Sequence, residues 1–139
     1  MKRIGIIFSV FFIGLLSACT SPVSITPDVV EVVYDNPRYS GDEIIVDVWI
    51  TNGQSSDVDI RVVDFWFELP EGTDLSGLAS NEVCGAQFDI FEIVEAGAYN
   101  EYELTFTSEF VQLTKSQLTE LGLTIEDLEF YYLINPSQT

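Results

Sequence analysis

Beyond residue 28 the chain is a succession of short stretches in which apolar residues recur at every second position, separated by clusters of Gly, Ser, Asn and Asp. A period of two puts alternate side chains on one face of a strand, so the pattern predicts strands joined by turns. Residues 29–34 (VVEVVY) are rich in β-branched side chains, and in residues 44–51 (IIVDVWIT) Ile44, Val46, Val48 and Ile50 share one face. Asn52 and Gly53 open a loop through Asp57, after which residues 58–69 (VDIRVVDFWFEL) run back. Here Val58, Ile60 and Val62 have one parity and Val63, Phe65 and Phe67 the other; a bulge or bend near Val62 and Val63 keeps both sets on the core. Residues 70–83 read as a long loop, 87–94 as a strand and 95–98 as a turn. In residues 99–110, Tyr102, Leu104, Phe106 and Phe110 alternate with Glu101, Glu103, Thr105, Thr107 and Glu109, which predicts one more strand. Thr114 and Gln117 have the spacing of a capping box that opens a short helix to Leu121, stopped by Gly122. Residues 124–127 read as one further turn and 128–134 (LEFYYLI) as the last strand.

Six or seven strands with turn signals between them and one short helix near the C-terminus predict an all-β fold, an antiparallel immunoglobulin-like β-sandwich. The first 18 residues follow another rule. Lys2 and Arg3 precede an apolar stretch, residues 4–16, interrupted only by Gly5, Ser9 and Gly14. As a helix it would span roughly 20 Å, short of the roughly 30 Å hydrocarbon core, so it reads as the hydrophobic region of a secretory signal. Leu16, Ser17, Ala18 and Cys19 follow in succession, and this run resembles the lipobox of bacterial lipoprotein precursors. The resemblance implies cleavage between Ala18 and Cys19, with acyl chains on the Cys19 thiol as a membrane anchor. Thr20, where lipoproteins retained at the inner membrane carry Asp, implies the outer membrane in a Gram-negative host. In a Gram-positive host the anchor implies the outer leaflet of the cell membrane. Three parts result: a signal peptide (1–18), the lipidated cysteine with an extended tether containing Pro22 and Pro27 (19–27), and the β-sandwich domain (28–139). That domain is similar to the small immunoglobulin-like modules of many bacterial lipoproteins, the matching stretches being residues 48–53, 58–72 and 95–106.

Charge changes the picture of partners. With 5 Lys+Arg against 23 Asp+Glu the formal charge is -18, which repels phosphate backbones and argues against nucleic acid. Lys2 and Arg3 leave with the signal, so Arg38, Arg61 and Lys115 remain against 23 acids, a mature charge of -20. The absence of histidine removes Ser/His and Cys/His catalytic pairs and imidazole metal ligands. No cofactor motif is present, and the chain is read as a non-enzyme. With Cys19 acylated, Cys84 has no partner within the chain and reads as a small buried hydrophobe. Weak calcium candidates are Asp35, Asp42 and Glu43 in one expected loop, Asp57 and Asp59 in another, and Glu71 with Asp74 in a third; the plainer reading is a solvated acidic surface. Tyr132 falls in phase with Leu128, Phe130 and Ile134, hence in the core. Trp49 and Tyr131 fall opposite the main apolar parity of their strands, which makes them candidate contact aromatics, the plainer reading being a second, partly buried face. The expectation is a membrane-anchored module that binds a protein or glycan of the envelope or surroundings, with a structural subunit of an envelope complex as the alternative.

Overall fold

The computed structural model describes residues 23–136 together with the main chain of Ile6–Val10. In chain order the strands are β1 (Ile6–Val10), β2 (Val30–Ser40), β3 (Glu43–Asn52), β4 (Val58–Glu68), β5 (Glu82–Val94), β6 (Tyr99–Phe106) and β7 (Glu129–Ile134), with helix α1 (Lys115–Glu120) before β7. Every pairing is antiparallel, in one sheet ordered β1-β6-β3-β2 and a second ordered β5-β4-β7. The two sheets form an antiparallel β-sandwich, as the alternation predicts. The lipobox at Leu16, Ser17, Ala18 and Cys19 lies outside the described residues. Within the apolar stretch before it, Ile6–Val10 is extended and pairs with residues 101–105 of β6.

The core follows the period of two. Ile44, Val46, Val48 and Ile50 of β3, Val63, Phe65 and Phe67 of β4, and Leu104 and Phe106 of β6 are all fully buried. Aromatic rings cross between the sheets: Phe88 meets Phe106 at 5.3 Å and Phe65 at 5.6 Å, and Phe67 meets Phe106 at 6.2 Å. Each such ring buries enough apolar area to contribute about 1.5–3 kcal/mol, and the offset and edge geometries add to it.

Local chemistry sets the element boundaries. β2 continues past Tyr34 through an irregularity between Asp35 and Arg38, where Asn36 takes φ 52° and the Asp35 carboxylate accepts its N–H. Pro37 is tolerated there because β2 is an edge strand. The bend expected in residues 58–69 is found as a register shift between Ile60 and Val62, opposite Phe91 of β5 at φ 48°. It leaves both Ile60 and Val63 in the core. β5 starts at Glu82, earlier than the expected residue 87, because Cys84 and Ala86 continue the inward set of Phe88 and Ile90 while their small size hides the pattern. β6 stops at Phe106, and Phe110 reaches the core from a 3₁₀ turn, Ser108–Phe110. The helix has the expected capping box: Thr114 accepts from the Gln117 N–H, the Gln117 side chain accepts from the Thr114 N–H, and Gly122 follows at φ 75°.

The loop after β3 crosses from one sheet to the other, so β3 and β4 are not neighbours. Asn52, fully buried, organises the crossing: its amide donates to the carbonyls of Ser56 and Val94 and its oxygen accepts from the Gln54 N–H. Gly53 is needed because a Cβ there would collide with the Thr26 carbonyl. The last residues of the expected tether are thus laid against the domain, an arrangement held by the Asp28 N–H bond to the Gly53 carbonyl and by Thr26 donating to Glu31.

Candidate functional site

Two tryptophans of the outward parity meet different fates. Trp49 of β3 has Val33 of β2 on one side and Glu101 of β6 on the other, and only 6% of it is exposed. This corrects the expectation of an open contact residue: outward parity does not mean exposure when neighbouring strands close over the ring. Burial and then the Asp47 charge raise the Glu101 carboxyl above its ordinary value, while its hydrogen bond with Trp49 works the other way.

On the second sheet the outer face is open. Register places Trp66 of β4 opposite Tyr131 of β7, and the rings stack at 5.7 Å and 16°. Tyr131 is 39% exposed, as its parity predicts. The Trp66 Nε1–H donates to Glu68 Oε2 at 2.7 Å, and Asn81 Nδ2 donates to Glu68 Oε1 at 2.8 Å, so the indole edge is pinned. The Tyr131 hydroxyl donates to Glu129 Oε2 at 2.7 Å, a bond that raises the phenol pKa, and the charges of Glu129, Glu68 and Glu71 add to the effect. Beside Trp66 runs a groove of ≈ 570 Å³ bordered by Asp64, Asn81, Gln87 and Leu133. A pinned aromatic face beside carboxylate and amide groups can stack on a sugar ring or hold an apolar side chain, with the polar groups setting orientation.

The acidic candidates are not brought together. Asp35 lies in β2 and Glu43 at the start of β3, with Asp42 in the tight turn between them, so these three do not share a ligand-like loop. Asp57 accepts the Ala96 N–H at 3.0 Å, and Asp59 pairs with Arg61 at 3.4 Å. Asp74 holds both Ser76 groups, which lowers its carboxyl pKa, and the Glu71 N–H donates to Glu129 at 3.4 Å. Among the described residues, no three His, Cys, Asp or Glu side chains stand together as a metal site. Cys84 is fully buried, and burial pushes its thiol pKa up, away from reactivity. Cys19 and Ala18 lie outside the described residues.

Asn135 is the residue that sequence reasoning missed. At φ 47° it ends β7, and its side-chain oxygen accepts from the N–H groups of both Arg61 and Val62 while its amide donates to the Asp59 carbonyl. It thereby supplies partners to the bent part of β4 and fixes β7 beside it. Its one signal is an Asn just after the last apolar run, a residue that tolerates positive φ.

The chain matches no family model, no curated protein and no solved structure in the comparisons made. Fold and site together define an all-β sandwich with an aromatic outer face on one sheet.

Proposed function

We propose that the protein is a lipid-anchored, non-enzymatic binding module of the bacterial cell envelope. Cys19 carries the anchor and the outer face of β4 and β7 makes contact with an envelope or extracellular protein or glycan. The observation that carries the binding role is the Trp66–Tyr131 stack beside the groove. Aromatic surface beside a groove is a common place for a partner to bind. The mature charge of -20 supports the anchoring geometry, since an acidic domain is repelled by anionic lipid and stands off the membrane on its tether. In a Gram-negative host the location is the outer membrane, and in a Gram-positive host the outer leaflet of the cell membrane.

Two substitutions test the two halves. Cys19→Ala is expected to give an unacylated protein released from the membrane; membrane retention would remove the anchor from the account. Trp66→Ala with Tyr131→Ala is expected to lower binding to isolated envelope fractions at least tenfold while the fold persists by circular dichroism. Undiminished binding would move the contact face elsewhere. The second reading, a structural subunit of an envelope complex, is favoured by one observation, the outer edge of β7, which is unpaired among the described residues.

A further inference from the structure

The order β2-β3-β6 over β5-β4-β7 matches six strand positions of an immunoglobulin-type sandwich, in which the strand beside the third one is itself flanked by a last strand. That last position, beyond β7, is vacant among the described residues: β7 pairs with β4 alone. The vacancy leaves a mark on burial. The inward residues of β4, Val63, Phe65 and Phe67, are fully buried, whereas those of β7, Phe130, Tyr132 and Ile134, are only half-buried. From the edge strand of the other sheet the half-buried Tyr34 packs on them, its ring 4.5 Å from that of Phe130. These side chains form a half-buried apolar strip along that edge of the sandwich.

The backbone is also turned outward. The Asn135 N–H donates to the Val62 carbonyl, which marks that end of the ladder as a hydrogen-bonded pair. By the alternation of antiparallel pairs, the N–H and C=O groups of Phe130, Tyr132 and Ile134 then point away from β4, toward the vacant position. A row of unpaired groups beside half-buried apolar side chains is what an added strand satisfies.

Charge decides the occupant. Glu68 and Glu129 pair across β4 and β7, the Glu71 N–H donates to Glu129, and the charges of Glu129, Glu68 and Glu71 all act on Tyr131. A second copy carries the same net charge of -18 before processing and the same carboxylates, so it is repelled. We propose that the outer edge of β7 takes an extended segment of a partner protein whose side chains alternate apolar and Lys/Arg, completing the second sheet. Its apolar side chains cover Phe130, Tyr132 and Ile134, and its cations meet Glu68, Glu71 and Glu129. This rests on the reading of the domain as a binding module and narrows the partner to a protein strand.

The test uses the full chain and an eight-residue peptide alternating Val and Lys, with two controls: the same composition in blocks of Val and Lys, and alternating Val and Glu. The alternating Val/Lys peptide is expected to bind at least tenfold tighter than either control. It should also slow amide exchange at Phe130, Tyr132 and Ile134 at least tenfold, leaving Tyr131 and Leu133 unchanged. Tyr132→Pro, which removes one outward N–H, is expected to abolish that binding. The double variant Glu71→Gln with Glu129→Gln keeps the size of both side chains and leaves Phe130–Ile134 unchanged, and it is expected to weaken binding at least fivefold. Equal binding of the block peptide, or protection confined to β2, β5 or β6, would overturn the proposal. Protection of the three amides in the free chain would assign the edge to another segment of the same chain or, if it depends on concentration, to a second copy, and either result overturns the partner strand. Should the peptide fail while Trp66→Ala still lowers envelope binding, this inference falls and the binding-module reading stands.

Discussion

The strands β6 and β7 carry the same kind of alternation and end in different surroundings. β6 has β1 on one side and β3 on the other, and its inward residues Tyr102, Leu104 and Phe106 are 1%, 0% and 0% exposed. Among the described residues β7 has β4 on one side only, and Phe130, Tyr132 and Ile134 keep part of their surface in water. Alternation says which way a side chain points. How far it is buried depends on how many strands flank it, and that is a property of the whole sheet. The difference is also one of guarding: β6 alternates its inward residues with Glu101 and Glu103, charges that discourage edge pairing, while β7 places Tyr131 and Leu133 beyond Glu129. If residues 1–18 are removed as proposed, β6 loses its neighbour β1 but keeps that charged guard.

The largest effect that probes this contrast comes from truncating one inward residue on each strand. Leu104→Ala in β6 is expected to cost about 2–5 kcal/mol, the range for a fully buried aliphatic that leaves a cavity. Ile134→Ala in β7 is expected to cost about 1 kcal/mol, since its site is half-solvated and water fills the space. Urea unfolding measures both, and equal costs would mean that β7 is as enclosed as β6.

A smaller effect is expected at the end of β7. Asn135→Gly keeps the positive φ but removes three hydrogen bonds to the bent part of β4, at a cost of about 1–2 kcal/mol. Asn135→Ala should cost more than Asn135→Gly, because it adds the strain of a left-handed alanine. The reverse order, read from the same unfolding curves, would show that the side-chain bonds and the backbone conformation are not what fixes β7.

The smallest effect is electrostatic and belongs to β6. Glu101 has its folded carboxyl pKa raised, chiefly by burial and then by Asp47. A raised pKa means that the protonated form is favoured in the folded state, so its contribution to stability is present below the ordinary value of 4.5 and is lost as pH rises through the folded value. Glu101→Gln is therefore expected to lose part of the decline in stability across that window and to melt slightly higher than the parent at neutral pH. A parent that gains stability through the same window relative to Glu101→Gln would reverse the assigned sign.

Much of the fold was legible because its strands are amphipathic. The faces of β3 and β6, the bend near residue 62, the capped helix and its glycine stop all follow from spacing and turn chemistry. The start of β5 was hidden by Gly85 and Ala86, whose small size reads as loop although Cys84 and Ala86 continue the inward face. Sheet neighbours were not legible either, since nothing in residues 52–57 says whether the chain closes a hairpin or crosses to the other sheet. That gap accounts for the candidate site. The parity of Tyr131 was right, but its partner Trp66 lies 65 residues away in sequence and is set by the β4–β7 register. Trp49 had the right parity too, and its cover by Val33 and Glu101 required the positions of β2 and β6. Grouping Asp35, Asp42 and Glu43 in one loop failed because the strands on both sides extend almost to the turn.

Amide exchange of the free chain, read residue by residue, shows whether the second sheet is open along β7. An open edge gives an alternation along β7, with Tyr131 and Leu133 protected by β4 and Phe130, Tyr132 and Ile134 exchanging at least tenfold faster. Uniform protection from Phe130 to Ile134 would contradict it, because it would mean that the outer edge is already paired.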